Sequence, residues 1–448
     1  MINRFLYAIF FLALCSTGLL SQTLQWRLLP ASPGMTGSNR NEDISFINEN
    51  TGWVVGYSGR VFRTTNGGLQ FTQVYNFIEG NELRSTGFFD VNTGIIGTLF
   101  PDSTKILYRT TNGGMNWSAV NNISGRRPEG ICGISVVTEN IAYACGRYYG
   151  SGRIIKTSDQ GISWKVVFND SSLARTLIDC YFWSPDSGIA VGGYNTSMFT
   201  NGNAVVLRTT DGGLSWQRVH KTTRTGEWCW KISFISRSTG FISIEREAGF
   251  AYILKTTNNG LNWSDIPFRE YDEEGIGFVN ENTGWVGGWS GPTYQTTNGG
   301  ANWQLAGWGT NMNRFRFLSD TLAYAVGDRV YKYSRGPVGI NLVSNEIPNS
   351  IKLFQNYPNP FNPATRIKFD LSTDSDNGEQ QVKLIVYDVT GKNVEELINE
   401  KLLPGSYEVN FIGNSYPSGI YFYKLIVNGY DSNEKNIFIN TKRMILLK

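Results

Sequence analysis

The stretch Ile44-Ser-Phe-Ile-Asn-Glu-Asn-Thr-Gly-Trp-Val-Val-Gly56, followed closely by Arg63-Thr-Thr-Asn-Gly-Gly-Leu-Gln-Phe71, decides the fold. Both halves recur. The first aligns without gaps to residues 134–146, 180–192 and 315–327, and residues 278–288 repeat it almost verbatim. The second returns at residues 109–117, 156–164, 208–216, 255–263 and 295–303. Its closing aromatics, Phe71, Trp117, Trp164, Trp216, Trp263 and Trp303, stand 46, 47, 52, 47 and 40 residues apart. Periods of this length mark a repeat architecture. Each unit reads as four short strands, carried by Phe46, Trp53-Val-Val, Val61-Phe-Arg-Thr and Phe71-Thr-Gln-Val and their equivalents. Asn-Gly or Asp-Gly between the third and fourth strands signals a hairpin, because both residues tolerate positive φ. Four strands in about 40–45 residues is the spacing of a β-propeller blade.

A seventh unit, residues 313–334, has three strands and then stops. Gln25-Trp26-Arg27-Leu28 resembles the fourth strands Asn116-Trp117-Ser118-Ala119 and Ser215-Trp216-Gln217-Arg218. Residues 24–30 are therefore expected to complete the last blade and close a seven-bladed ring, which removes exposed edge strands. The composition agrees: 50 Gly and 14% aromatic residues suit many short strands joined by tight turns.

Residues 1–21 carry Arg4, an apolar run from Phe5 to Leu14, and a small-residue exit, the pattern of a signal peptide. The run is too short to span a membrane comfortably, and no other stretch is long and apolar enough, so the rest of the chain is expected not to be membrane-spanning. Past the leader lie Cys132, Cys145, Cys180 and Cys229. Cys132 and Cys145 flank a hairpin and form the candidate disulfide of an exported protein.

The repeats at residues 24–334 resemble the Asp-box (BNR) hairpins of sialidases and related propellers, with Asp159 and Asp211 at the acidic position and Asn66, Asn112, Asn258 and Asn298 elsewhere. With Asn-Thr-Gly-Trp before the box, the pattern looks like the photosystem II assembly-factor-like propellers. The resemblance implies a fold, not a ligand. In each box the Asn or Asp caps the turn, Gly allows its backbone and Trp packs between blades.

Residues 335–349 read as a linker. Residues 350–448 begin with Leu353-Phe-Gln-Asn-Tyr-Pro-Asn-Pro-Phe-Asn-Pro, whose prolines forbid a helix or central strand, and continue as alternating strands of a small Ig-like β-sandwich. The segments NYPNPFNPATRIKF, VYDVTGKNV, LPGSYEV, SGIYFYKL and TKRMILLK resemble the C-terminal sorting domain of the type IX (Por) secretion system. That resemblance implies passage through the periplasm, recognition of the tail by the outer-membrane translocon, and release or surface attachment. Lys442, Arg443 and Met444 lie in the terminal motif.

The fold class expected is thus all-β: a seven-bladed propeller followed by an Ig-like sandwich. Chemistry is sparse. The lone His220, placed at the surface, argues against histidine-based metal sites and Ser-His-Asp catalysis. No catalytic set, metal site or cofactor motif is recognisable, and a net charge of +3 does not call for nucleic acid. Asp272-Glu273-Glu274 offers a carboxylate pair on paper but reads as a solvated loop. The candidate ligand face is the rim formed by the inter-blade and second-to-third-strand loops. There we place Arg126, Arg127, Arg147, Tyr148, Tyr149, Tyr194, Phe199, Arg224, Trp228, Arg269, Tyr271, Trp289 and Trp308, with Arg84, Arg175 and Lys221 beside them. Arginines suit carboxylates and phosphates, and aromatics suit sugars or peptides. The expected role is a non-catalytic binder of a protein or glycan. The alternatives are a glycan-active hydrolase or lyase using rim carboxylates, and an assembly factor for an envelope complex.

Overall fold

The computed structural model describes residues 24–29, 31–34, 40–77, 82–99, 105–146, 152–195, 202–247, 249–268, 273–335, 340–344, 346–373, 380–413, 416–428 and 437–448. The expected signal peptide lies outside them. The chain divides into a unit at residues 24–339 and a second that includes residues 340–448. No α-helix occurs among the described residues.

The first unit is a succession of small antiparallel sheets built as the repeats dictate. In the first, Asn41–Phe46, Gly52–Gly56, Arg60–Thr64 and Thr72–Asn76 pair in chain order. Among the described residues six further sheets follow to Arg335, one of them with a short fifth strand, Ile123–Ser124, pairing in parallel with Trp164–Phe168. Consecutive sheets pack on each other, and the last, at Arg314–Phe317 and Ala323–Val326, packs back on Asn41–Phe46. Leu24–Leu28 fills the outer place of that last sheet, pairing with Val330–Arg335 in the register Trp26↔Tyr333.

The Thr-x-Asn/Asp turns have one geometry six times over, with Gln160 and Asn259 taking the positive φ where the other four have glycine. At the second, Thr110 Oγ1 donates to Asn112 Oδ1 (3.0 Å) and accepts from the Gly114 N–H (3.0 Å), while Asn112 Oδ1 accepts the Asn116 N–H (2.9 Å). Asp159 and Asp211 fill the same role. At Asp211, hydrogen bonds from Ser215 lower the carboxyl to about 2. Gly113 and Gly114 carry the positive φ the turn needs, 71° and 92°.

The Asn-Thr-Gly-Trp motif has a packing reason. Phe88 lies flat on Gly94, where a Cβ would come within 2.5 Å of the ring. Its other face stacks on Trp53 of the preceding sheet, with centroids 3.5 Å apart and planes 5° from parallel. Phe46 on Tyr324, Phe182 on Tyr143 and Phe278 on Phe241 repeat the arrangement, so each pair joins two sheets. The apolar clusters therefore lie between neighbouring sheets and draw residues from both, as Trp53, Val55, Phe88 and Ile96 do in one of them.

Among the described residues the second unit has two four-stranded sheets. One orders Ile340–Ser344, Gly405–Ile412, Ala364–Leu371 and Lys352–Leu353. The other orders Asn393–Leu402, Gln380–Tyr387, Gly419–Asn428 and Ile437–Leu446. A core including Ile367, Phe369, Val382, Leu384, Tyr407 and Leu425 is buried within this unit. Ile340–Ser344 lies in the stretch expected to be linker; it becomes a strand because it finds an open edge at Gly405–Ile412. The terminal motif lies in the edge strand Ile437–Leu446, with Met444 buried and Arg443 exposed. The proline-rich segment docks on it: Gln355 Nε2 donates to the Arg443 carbonyl (2.7 Å), and the Phe361 N–H donates to the Ile445 carbonyl (2.9 Å).

Candidate functional site

The first strand of every sheet borders the middle of the succession, and two positions on it carry the charge. The residues preceding Ile44 and its counterparts are Asp43, Ser85, Gly133, Asp179, Lys231, Gly275 and Arg314. One step earlier stand Glu42, Arg84, Cys132, Ile178, Trp230, Glu274 and Asn313. In five of the seven strands the pairing register shifts at this place, between Asn41 and Asp43, Leu83 and Ser85, Leu177 and Asp179, Cys229 and Ile232, and Glu273 and Gly275. A bulge re-aims side chains that strict alternation would send to opposite faces.

These side chains meet across the middle. Arg314 grips Asp179 with both terminal nitrogens (2.6 and 3.1 Å) and reaches Asp43 through Nε (3.2 Å). Asp43 also accepts from Arg316 (3.2 Å) and from the Thr86 N–H (3.1 Å). Glu42 accepts from Arg40 (2.8 Å), Arg84 (3.0 Å) and Asn313 Nδ2 (2.8 Å), and Arg40 pairs with Glu274. Burial alone would raise the Asp179 carboxyl, but Arg314, Lys231 and Arg316 together outweigh it and hold it below the usual carboxylate range. Arg40 and Arg84 do the same for Glu42. Lys231 is the exception. Its ammonium is buried and without a hydrogen-bond partner, and burial together with Arg314 pulls its pKa down to about 8. This network is the main feature that single-residue reading missed. Glu273 and Glu274, expected in a solvated loop, are buried in the strand Glu273–Phe278 because Glu274 is needed by Arg40.

The rim residues do not form one exposed cluster. Arg126, Arg127, Arg175 and Lys221 are exposed. Tyr194 is half-buried beneath Lys221 (3.8 Å) and Arg218 (5.0 Å). Arg224 stacks on Tyr252 (3.7 Å) and pairs with Glu227 and Asp265. Trp289 faces Arg40 at 4.4 Å. One expectation is corrected. Trp228 is core, packed with Leu99, Ile178 and Trp230, since Gly193 leaves its indole the space. Trp308 is half-buried and stacks on Trp26 (5.0 Å), a residue of the strand that completes the last sheet. Arg84 is likewise buried against Glu42 rather than on the rim. Arg147, Tyr148, Tyr149, Phe199, Arg269 and Tyr271 lie outside the described residues. His220 is half-buried, and burial lowers its pKa.

The Cys132–Cys145 disulfide is not formed; all four cysteines past the leader are buried thiols. Cys145 pairs in register with Gly133, so Cys132, one residue earlier, points to the opposite face. Cys132 packs with Trp228 and Trp230, whereas Cys145 packs with Cys180 and Phe182.

On the face that carries the Thr-x-Asn/Asp turns, opposite the rim, the first strands end around a funnel of about 960 Å³. Phe46, Phe88, Phe182 and Phe317 line it together with Tyr181 and Arg316. Among the described residues no group of three or more His, Cys, Asp or Glu is arranged to hold a metal, and no helix is long and apolar enough to cross a membrane.

Residues 25–165 match the family model described as photosynthesis system II assembly factor YCF48, and residues 355–440 match the secretion system C-terminal sorting domain. Among curated proteins, the chloroplastic photosystem II stability/assembly factor HCF136 of Oryza sativa subsp. japonica is 23% identical over 349 residues, 67% of this chain and 79% of that one. Among solved structures, YCF48 bound to D1 peptide aligns with TM-score 0.52 and 18% identity, covering 69% of this chain and 97% of that chain. YCF48 from Cyanidioschyzon merolae aligns with TM-score 0.51 and 19% identity, covering 69% and 98%. At these identities the likeness is one of fold, that of an all-β propeller. The sorting-domain match marks the chain for handling by type IX secretion and for the cell surface or the extracellular space.

Proposed function

We propose that residues 24–335 are a seven-bladed propeller acting outside the cell as a non-catalytic binder of a protein or glycan, and that residues 340–448 are an Ig-like sorting sandwich. The observation that carries this is where the buried carboxylates are committed. Asp43, Asp179, Glu42 and Glu274 each hold an arginine, and arginine neighbours keep Asp179 and Glu42 ionised. A glycosidase acid needs the opposite tuning, a carboxyl raised toward neutrality. The exposed Arg126, Arg127 and Arg175 suit an acidic or planar partner instead. A YCF48 solved with a D1 peptide supports a protein partner over a glycan. The YCF48-type match at residues 25–165 favours the narrower reading of an assembly factor for an envelope complex.

Pull-down from the cell envelope with the purified chain, against a variant carrying Arg126→Ala and Arg127→Ala, tests the binding role: the partner is retained by the first and lost from the second. Reducing-end release from a polysaccharide panel, abolished by changing a rim carboxylate, would overturn it. For the address, deleting residues 340–448 is expected to leave the protein in the periplasm; arrival at the surface would refute the assignment.

A further inference from the structure

The funnel on the turn face is not explained by the binding rim, and its lining has a definite chemistry. Its walls are rings and branched chains from five first strands, among them Phe46, Phe88, Val136 and Phe317. Its volume falls in the range of about 300–1,000 Å³ typical of small-molecule sites. Among the described residues its one lining cation is Arg316, whose side chain is 30% exposed. Both of its hydrogen bonds to Asp43 are made by a single terminal nitrogen, so Asp43 leaves Nε and the other terminal nitrogen unused. The one acid among the described lining residues, Glu49, is exposed.

The charge behind Arg316 matters as much. Asp43 is shared between Arg314 and Arg316, and Asp179 is taken by Arg314. Lys231 stands in the same cluster with its ammonium buried and unpartnered. Behind Arg316, three cations therefore face two carboxylates. Buried positive charge without a partner is costly, and a monoanion entering the funnel offsets it. A planar carboxylate matches the guanidinium fork, and an apolar body matches the walls.

We propose that this funnel binds an amphipathic organic monocarboxylate, its head on Arg316 and its apolar body along the phenylalanine rings. The site is independent of the rim and of what the rim holds. Titration calorimetry on the full chain tests it, with octanoate as the probe and 1-octanol and acetate as the arms that lack the head or the body. Octanoate is expected to bind once per chain, and each control at least about tenfold more weakly, the scale of one charge-assisted hydrogen-bonded contact. Arg316→Gln should weaken octanoate by about tenfold to a hundredfold. Ser45→Leu, which fills the funnel without touching a charge, should weaken it comparably. Equal binding of octanol and octanoate, or octanoate binding unchanged in Ser45→Leu, overturns the proposal. If Arg316→Gln does not fold, the wild-type comparison of octanoate with octanol decides the point by itself.

Discussion

Replacing Lys231 by Met should make the first unit more stable at neutral pH, although it removes a charge from the centre of an ion-pair network. The reason is a linkage. The Lys231 ammonium falls from an ordinary 10.5 to about 8 on folding, driven by burial and then by Arg314, with Arg84 adding to them and Asp179 and Asp43 opposing. At about 1.4 kcal/mol per pH unit this is a cost of about 3 kcal/mol. The sign follows from which state holds the proton. Below pH 8 both states are protonated and the folded chain bears the whole cost. Between 8 and 10.5 the unfolded chain keeps the proton that the folded chain has shed, so wild-type stability rises with pH. Met loses some packing, about 1 kcal/mol, and leaves Asp43 and Asp179 with Arg314 and Arg316. The expected gain is about 2 kcal/mol at pH 7, shrinking towards zero by pH 10. All 13 tryptophans fall between Trp26 and Trp308, so urea melts followed by fluorescence report this unit alone. A variant less stable than wild type at pH 7, or a gap that does not close by pH 10, refutes the reasoning.

Two further outcomes are expected. Gly94→Ala brings a Cβ within 2.5 Å of Phe88, which cannot retreat because Trp53 backs it, and should cost about 1–3 kcal/mol in the same melts. Reductant should leave the melting temperature unchanged, and Cys132, Cys145, Cys180 and Cys229 should react with a thiol reagent only after unfolding, since all four are buried thiols; a fall in melting temperature on reduction would show that a bridge exists.

The repeat was legible because it is written in local chemistry. The turn at Thr110-Thr-Asn-Gly-Gly needs its own hydroxyl, amide and glycines, and these stand adjacent in sequence. The partner for Val330–Arg335 was also legible, because Trp26 keeps the aromatic of a fourth strand. The axial network was not read, since each of its members looks like an ordinary surface charge until the first strands are laid over one another. Then Asp43, Asp179, Lys231 and Arg314 fall into one column. The register shifts that aim Glu42 and Glu274 inward leave no mark in composition. Rim residues failed for a different reason: whether Trp228 is a binding platform or core depends on Gly193, a strand away.

The pairing of Leu24–Leu28 with Val330–Arg335 sets an order of events for a growing chain. The earliest strand of the unit has no partner until roughly three hundred later residues exist. During this interval the outer edge of the final sheet and the N-terminal strand are both unpaired, and Trp26 lacks the cage of Trp285, Trp308 and Tyr333 that later encloses it. The seam is thus the last bond of the circle to form. It is also the place where a clasp can be undone while the sheets next to it stay whole.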